Sequence, residues 1–193
     1  MATQVFYEKG YDGASLQVIA DRLGMLKGSL YYYIQTKEDL LFDVIGTVHN
    51  AGLAVVRGCA ESDGDPLQRL ERVIIGHIEH TCRNLVATTV FLHELSALPP
   101  ERRREVLGSE HAYQGVFREL IELAQKEGLV RADLEPRLAA LSVLGSANWV
   151  YRWFRPGGEF TAEQIGAQYA DMAIRGIATD SALAERSAGR TTG

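Results

Sequence analysis

Apolar residues recur at three- and four-residue spacing along almost the whole chain, and no strand-like alternation persists. That period, in a sequence rich in Ala, Leu, Glu and Arg, predicts helix throughout and no sheet. Local punctuation then cuts the helices apart. Ser15 caps LQVIADRL, and Gly24 suits the left-handed position at its end. Thr36 can cap a helix that starts at Lys37. The segment ESDGD, Glu61 to Asp65, is a turn, with Asp65 as N-cap and Pro66 at the first helical position. Pro99 and Pro100 launch a long helix that Gly128 ends. Asp133 or Glu135, ahead of Pro136, opens a helix running to about Phe154, where RPGG stops it. In FTAEQI a capping box (Thr161, Gln164) and a hydrophobic staple (Phe160, Ile165) open a last helix reaching about Thr179. The expectation is an all-α fold of about nine helices. Residues 1–46 form a head of short helices, 47–180 a larger helical domain, and 181–193 a small, polar, disordered tail.

The chain has 193 residues, enough for one large domain or two small ones with a well-buried core. Its 46% hydrophobic and 23% charged residues are ordinary for a soluble globular protein. Apolar runs such as Leu138 to Leu144 fall far short of a bilayer span, and no basic stretch precedes an apolar core at the N-terminus. A cytoplasmic protein with no membrane partner is expected. Cys59 and Cys82 lack metal-type spacing and read as reduced core thiols. The net charge of −5 does not advertise nucleic acid. Within residues 1–46, Lys9, Arg22, Lys27 and Lys37 face Glu8, Asp12, Asp21, Glu38, Asp39 and Asp43, whereas DNA affinity usually draws on a basic surface.

Three consecutive tyrosines, Tyr31 to Tyr33, sweep about 200° of a helix surface, so no single buried face can hold all of them. Ala20 and Gly24 explain their setting. Crossed helices of a helix-turn-helix need a small residue at the crossing and a residue tolerant of positive φ in the turn. Ile19, Leu23, Met25 and Leu30 supply the apolar patch between the helices. A helix beginning near Leu26 then presents Lys27, Gly28, Ser29, Tyr31 and Tyr32 outward. Hydroxyls, small residues and a lysine at a helix start suit a phosphate-lined groove. Tyr33 or Ile34 is expected to pack inward.

The stretch EKGYDGASLQVIADRLGMLKGSLYYYIQTKEDLLFDVI resembles the DNA-binding domain of TetR-family transcriptional regulators. The match rests on GY after helix one, IA in helix two, the LG turn, KGSLYYY and KEDLL. The resemblance implies DNA contacts from Gln17, Lys27, Gly28, Ser29, Tyr31 and Tyr32, with a phosphate contact from Lys37. It also implies an all-helical homodimer that represses from a near-palindromic double-stranded operator until a small molecule binds its C-terminal domain, so that residues 47–180 are expected to be the ligand-binding and dimerisation domain. In that family helix one starts well before such a segment, after a short basic arm, whereas Met1 here stands close to Phe6. Either the true start lies upstream or most of helix one is missing; the expectation is an upstream start.

The helix from Pro136 holds small residues (Ala139, Ala140, Ser142, Gly145, Ser146), and the last helix offers Ala167, Ala170, Ala173 and Gly176. Two such helices per subunit could form a four-helix interface. A two-fold dimer then spaces two heads about 34 Å apart, one DNA turn. Trp149 and Trp153 share a face near Arg152 and Arg155. Interface packing is one reading of this pair, and lining of a ligand tunnel by Trp149 is the other. The segment NWVYRWFRPGGEFTAEQIGAQYADMAIRGI resembles the C-terminal helices of TetR-type regulators of fatty-acid, steroid and phenylacetate catabolism, which implies an acyl-CoA thioester as effector. Such a ligand needs an apolar slot, for which Val90, Phe91, Leu95, Tyr113, Phe117, Leu120 and Trp149 are candidates. Its phosphates need cations, for which Arg118 and Arg152, and less so Arg102, Arg103 and Arg104, are candidates. The ERRRE run reads otherwise as a solvated face.

His77 and His80, i and i+3, invite a metal reading but supply only two ligands, so no metal is expected. No nucleophile elbow, phosphate loop or triad pattern points to an enzyme, and no cofactor is expected. Two rival readings remain: a regulator of efflux genes sensing an aromatic or drug-like ligand, and a helical ligand- or partner-binding module without DNA binding.

Overall fold

The computed structural model describes residues 1–32 and 34–190. Tyr33, one of the two residues expected to pack inward, lies outside the described residues. Ile34, the other, is partly buried against the head's core. The helices are α1 (Ala2–Gly13), α2 (Leu16–Leu23), α3 (Lys27–Leu30), α4 (Lys37–Ala60), α5 (Pro66–Arg83), α6 (Leu85–Glu94), α7 (Pro100–Lys126), α8 (Pro136–Asn148), α9 (Val150–Trp153), α10 (Ala162–Ile177) and α11 (Asp180–Arg190). A 3-10 turn, Leu95–Ala97, follows α6. No strand forms among the described residues, where β pairing is limited to an isolated antiparallel bridge between Val130 and Ala178. The fold is all-α, as the periodicity predicts.

The caps lie where the residues call for them. Ser15 accepts the Val18 N–H at 3.2 Å, and Gly24 closes α2 in the left-handed region with φ 66° and ψ 27°. Thr36 and Asp39 exchange bonds at 2.8 and 3.1 Å to open α4. Asp65 and Gln68 do the same for α5 at 2.8 and 3.1 Å. Glu135, not Asp133, caps α8 through the Leu138 N–H. Thr161 and Gln164 form the reciprocal box at α10. Each bond satisfies a donor that a helix start leaves orphaned.

Two expectations need correction. The helix read as running from Pro136 to about Phe154 is interrupted at Trp149, because the Arg152 N–H bonds Trp149 O three residues back and tightens the turn. The composition of residues 181–193 predicts a disordered tail, yet α11 carries the chain to Arg190, while residues 191–193 lie outside the described residues. Ala182 is buried, and Arg186 pairs with Glu71 of α5. Thr179 also holds the entry to α11, its N–H donating to Leu129 O at 2.9 Å and its hydroxyl to Gly128 O at 3.0 Å. A small buried alanine and an ion pair to a distant helix leave no mark in local composition.

The chain divides into two compact units. The first comprises Met1–Gly52 with Asn84–Glu110. Its core gathers Val5, Phe6, Ile19, Leu41, Ile45 and Val90. The second comprises Leu53–Arg83 and the chain from His111 onward. There α5 lies close against α10: a Cβ added at Gly166 would stand 3.3 Å from the Ile75 Cα, a tight contact that the small glycine avoids. By length and composition α4 could cross a bilayer, but Leu41, Ile45 and Val56 on it are fully buried inside the protein. Both cysteines are unbridged. Burial pushes the Cys82 thiol up to about 11, which keeps it protonated and unreactive.

Candidate functional site

In the first unit α2 and α3 meet at Ala20, which is fully buried, and the Met25 N–H returns to Ala20 O at 3.0 Å to close the turn. Leu30 anchors α3 from beneath. That leaves Lys27, Gly28, Ser29, Tyr31 and Tyr32 exposed along one outer edge, Tyr32 at 92%. Lys27 Nζ sits 5.8 Å from the centre of the Tyr31 ring, so the ammonium and the phenol stand together. A Cβ at Gly28 would meet nothing within 4 Å, leaving that backbone open to close approach. Gln17 is exposed on α2, its amide donating to Asp21 at 2.8 Å. Arg22 is engaged by Glu8 at 2.7 Å, which offsets one of the head's few cations.

Lys37 is held from within. Its Nζ donates to Tyr11 O at 2.7 Å and lies 3.9 Å from the Tyr11 ring centre. The Tyr11 hydroxyl in turn donates to Glu38. Burial, and then this carboxylate, raise the Tyr11 pKa; the same bond holds the Glu38 carboxyl below its ordinary value. Next along, Asp39 is kept ionised by its Thr36 bond and by Arg102 from α7, with which it forms an ion pair. Arg102 also packs over Phe42 at 5.2 Å. Gly10, with φ 67° and ψ 174°, kinks α1 immediately before Tyr11. Nothing in the spacing of the sequence announces the Tyr11–Glu38 and Asp39–Arg102 pairs, which join segments far apart along the chain.

The effector candidates fall into separate groups. Val90 is buried in the first unit, where Phe91 and Leu95 pack against the same core and Phe91 lies 5.3 Å from the His49 ring. Tyr113, Phe117 and Leu120 are buried in the second unit. Arg118, Trp149 and Arg152 are exposed and do not join that buried set; Arg118 lies 3.4 Å from Glu122. Of the other arginine candidates, Arg102 is taken up by Asp39, and Arg104 lies 3.9 Å from Glu101.

Edge-on against the stacked Tyr113 and Phe117 rings stands His77, whose spacing from His80 suggests in sequence only half of a metal pair. Its Nδ1 is 2.7 Å from the Tyr113 hydroxyl, and the two rings meet edge-on at 5.7 Å. Burial lowers its pKa to about 4, assisted by His80, while Asn148 opposes the shift. His77 is therefore neutral near pH 7. No group of three or more His, Cys, Asp or Glu able to hold a metal ion occurs among the described residues.

The second unit also carries an apolar stripe on α8 and its continuation. Leu138, Leu141, Trp149 and Trp153 are exposed at 67, 40, 59 and 38%. Ser142, Gly145 and Ser146 lie between them, also exposed. Exposed Met172 and Gly176 on α10 line the same groove as Leu138, Ser142 and Ser146.

Known proteins share this arrangement. Residues 1–44 match the family described as bacterial regulatory proteins, tetR family, and residues 63–177 match the tetracyclin repressor-like C-terminal domain. The HTH-type transcriptional repressor KstR2 of Mycobacterium tuberculosis is 27% identical over 179 residues, which cover 92% of this chain and 89% of that protein. The solved structure of that organism's ketosteroid regulator KstR2 superposes with a TM-score of 0.86 at 26% identity, covering 93% of this chain and 92% of its own. A structure of AibR in complex with isovaleryl coenzyme A and operator DNA superposes at 0.80 with 30% identity, covering 89% and 92%. With both of its parts matched, the chain belongs to the tetR family of bacterial regulatory proteins.

Proposed function

We propose that this protein is a homodimeric repressor that leaves its operator when an acyl-CoA thioester binds its second unit. That it is a DNA-binding transcriptional repressor follows from its family. The observation that carries the reading is the outer edge of the head, where Lys27, Tyr31 and Tyr32 are exposed together while Leu30 is sunk beneath them. An ammonium and phenols on a protruding turn suit phosphate oxygens and base edges. Gln17, Gly28 and Ser29 complete the DNA face, and Lys37 reaches phosphate with the donors that Tyr11 leaves over.

Dimerisation uses the α8 and α10 stripe, since an exposed apolar row with small residues between its bulky ones suits a two-fold helix contact. The effector class is supported by the likeness to AibR, whose structure holds isovaleryl coenzyme A, and by the buried aromatic set around Tyr113 and Phe117. Ligand binding shifts α4, which belongs to the head's unit as far as Gly52 and to the second unit from Leu53. Each ~1.4 kcal/mol of preference for the released state lowers operator affinity about tenfold. A protein working on chromosomal DNA resides in the cytoplasm.

The test is a mobility shift with the DNA upstream of the protein's own reading frame, with acyl-CoA thioesters, free acids and aromatic dyes added in turn. Retardation relieved by thioesters alone is the expected outcome. Relief by dyes alone would replace the effector class with an aromatic one, and no retardation at all would overturn the operator reading.

A further inference from the structure

His77 sits in the second half of α5, and its side chain is walled by two aromatic rings. Tyr113 lies 5.7 Å away and Phe117 6.1 Å away, both edge-on. The residue is only 6% exposed. Its Nδ1 shares the Tyr113 hydroxyl at 2.7 Å, but its Nε2 is buried with no hydrogen-bond partner among the described residues. Asn148 lies near enough to favour the protonated ring, yet Nε2 makes no bond of ordinary geometry with it.

The tautomer follows from proton acidity. A phenol gives up a proton far more readily than a neutral imidazole N–H, so Tyr113 donates to Nδ1 and the ring's own proton stays on Nε2. That leaves a fixed N–H donor without an acceptor in an apolar, aromatic setting. Buried donors of this kind are costly, and proteins pair nearly all of them. An ionised carboxylate would be a poor partner, because Arg118, the cation five residues beyond Tyr113 on α7, is exposed and lies beside Glu122. An uncharged oxygen acceptor suits the site.

We propose that His77 Nε2 donates a hydrogen bond to the uncharged carbonyl oxygen at the head of the effector's acyl chain, with Tyr113 as the positioning residue that fixes the tautomer. His77 is then a specificity-determining residue: it selects thioesters over ligands of the same shape that lack the carbonyl. This rests on the acyl-CoA reading above. A site built around one hydrogen bond discriminates sharply against an analogue lacking it, because the buried group is left unpaired.

The experiment titrates the full-length protein by calorimetry with three matched pairs: isovaleryl-CoA and S-isopentyl-CoA, octanoyl-CoA and S-octyl-CoA, palmitoyl-CoA and S-hexadecyl-CoA. Each thioether keeps the chain and the nucleotide and loses only the carbonyl. The wild type should favour the tightest-binding thioester over its thioether by about tenfold or more. His77→Phe should abolish that preference by weakening thioester binding while leaving the thioether unchanged. His77→Gln, which retains an N–H donor, should restore part of it. Should His77→Phe fail to fold, His77→Leu serves in its place. Equal binding of the pairs by wild type, or a preference that survives the apolar substitution, overturns the role of His77 and leaves the effector class standing. If no thioester binds, the effector class falls, and this inference falls with it.

Discussion

Lys27 and Tyr31 stand one helical turn apart on the exposed edge of the head, and their chemistry separates their roles. A phenol on phosphate positions the protein without reading sequence. Tyr31→Phe should therefore weaken operator binding by about 1 kcal/mol with unchanged sequence preference, as measured by competition among operator variants. Lys27→Ala should lower the slope of log affinity against log salt by about one if its partner is phosphate, and relax base choice instead if it reads guanine. Unchanged affinity in both variants would remove this edge from the DNA interface. His77 yields a residue-scale prediction for stability. Its value is near 6.5 when unfolded and about 4 when folded. As pH falls below 6.5 the unfolded chain takes up a proton that the folded protein refuses, so stability declines until the folded ring titrates near 4, and above 6.5 the residue adds no pH dependence. The full decline is on the order of a few kcal/mol. Thermal melts from pH 7 to pH 4 should show a shallower drop for His77→Phe than for wild type; parallel curves would assign the drop to other groups.

At the scale of helices, two glycines with different surroundings make a paired test. Gly10 holds φ 67° and ψ 174° at the kink of α1, a region open essentially only to glycine. Gly10→Ala should cost about 1–3 kcal/mol in urea unfolding. Gly28→Ala, where an added methyl meets nothing within 4 Å, should leave stability unaltered and weaken operator binding by holding the backbone off the groove. What the sequence made legible follows the same division between near and far. Ser15, Asp65 and Thr161 could be read as caps because a cap and the N–H it binds lie three residues apart. The head was equally legible, since Ala20, Gly24 and Leu30 sit within one short stretch. The α11 helix was not, because its anchors, Glu71 for Arg186 and the Leu129 carbonyl for Thr179, lie in segments far back along the chain. The Tyr113 hydroxyl that engages His77 is likewise remote in sequence, so the histidine could only be read beside its neighbour His80. Exposure of Trp149 could not be foreseen either, because its helical period suits a buried face and an interface face equally.

For the whole molecule, the exposed row of Leu138, Leu141 and Trp149 beside Met172 sets the assembly prediction. Leu141→Glu combined with Met172→Glu should shift sedimentation from dimer to monomer while leaving the helical circular-dichroism spectrum intact. Operator affinity should fall steeply in the same variant, because two linked heads bind with an avidity that one head lacks. A variant that remains dimeric would place the two-fold contact elsewhere. The head's unit is not a continuous piece of chain: Asp39 depends on Arg102, and α1 packs on α6, across the intervening segment Leu53–Arg83, which belongs to the other unit. A chimera that transplants only the first 46 residues onto another regulator would strand Asp39 without its guanidinium, so a working graft has to carry Asn84–Glu110 along with them.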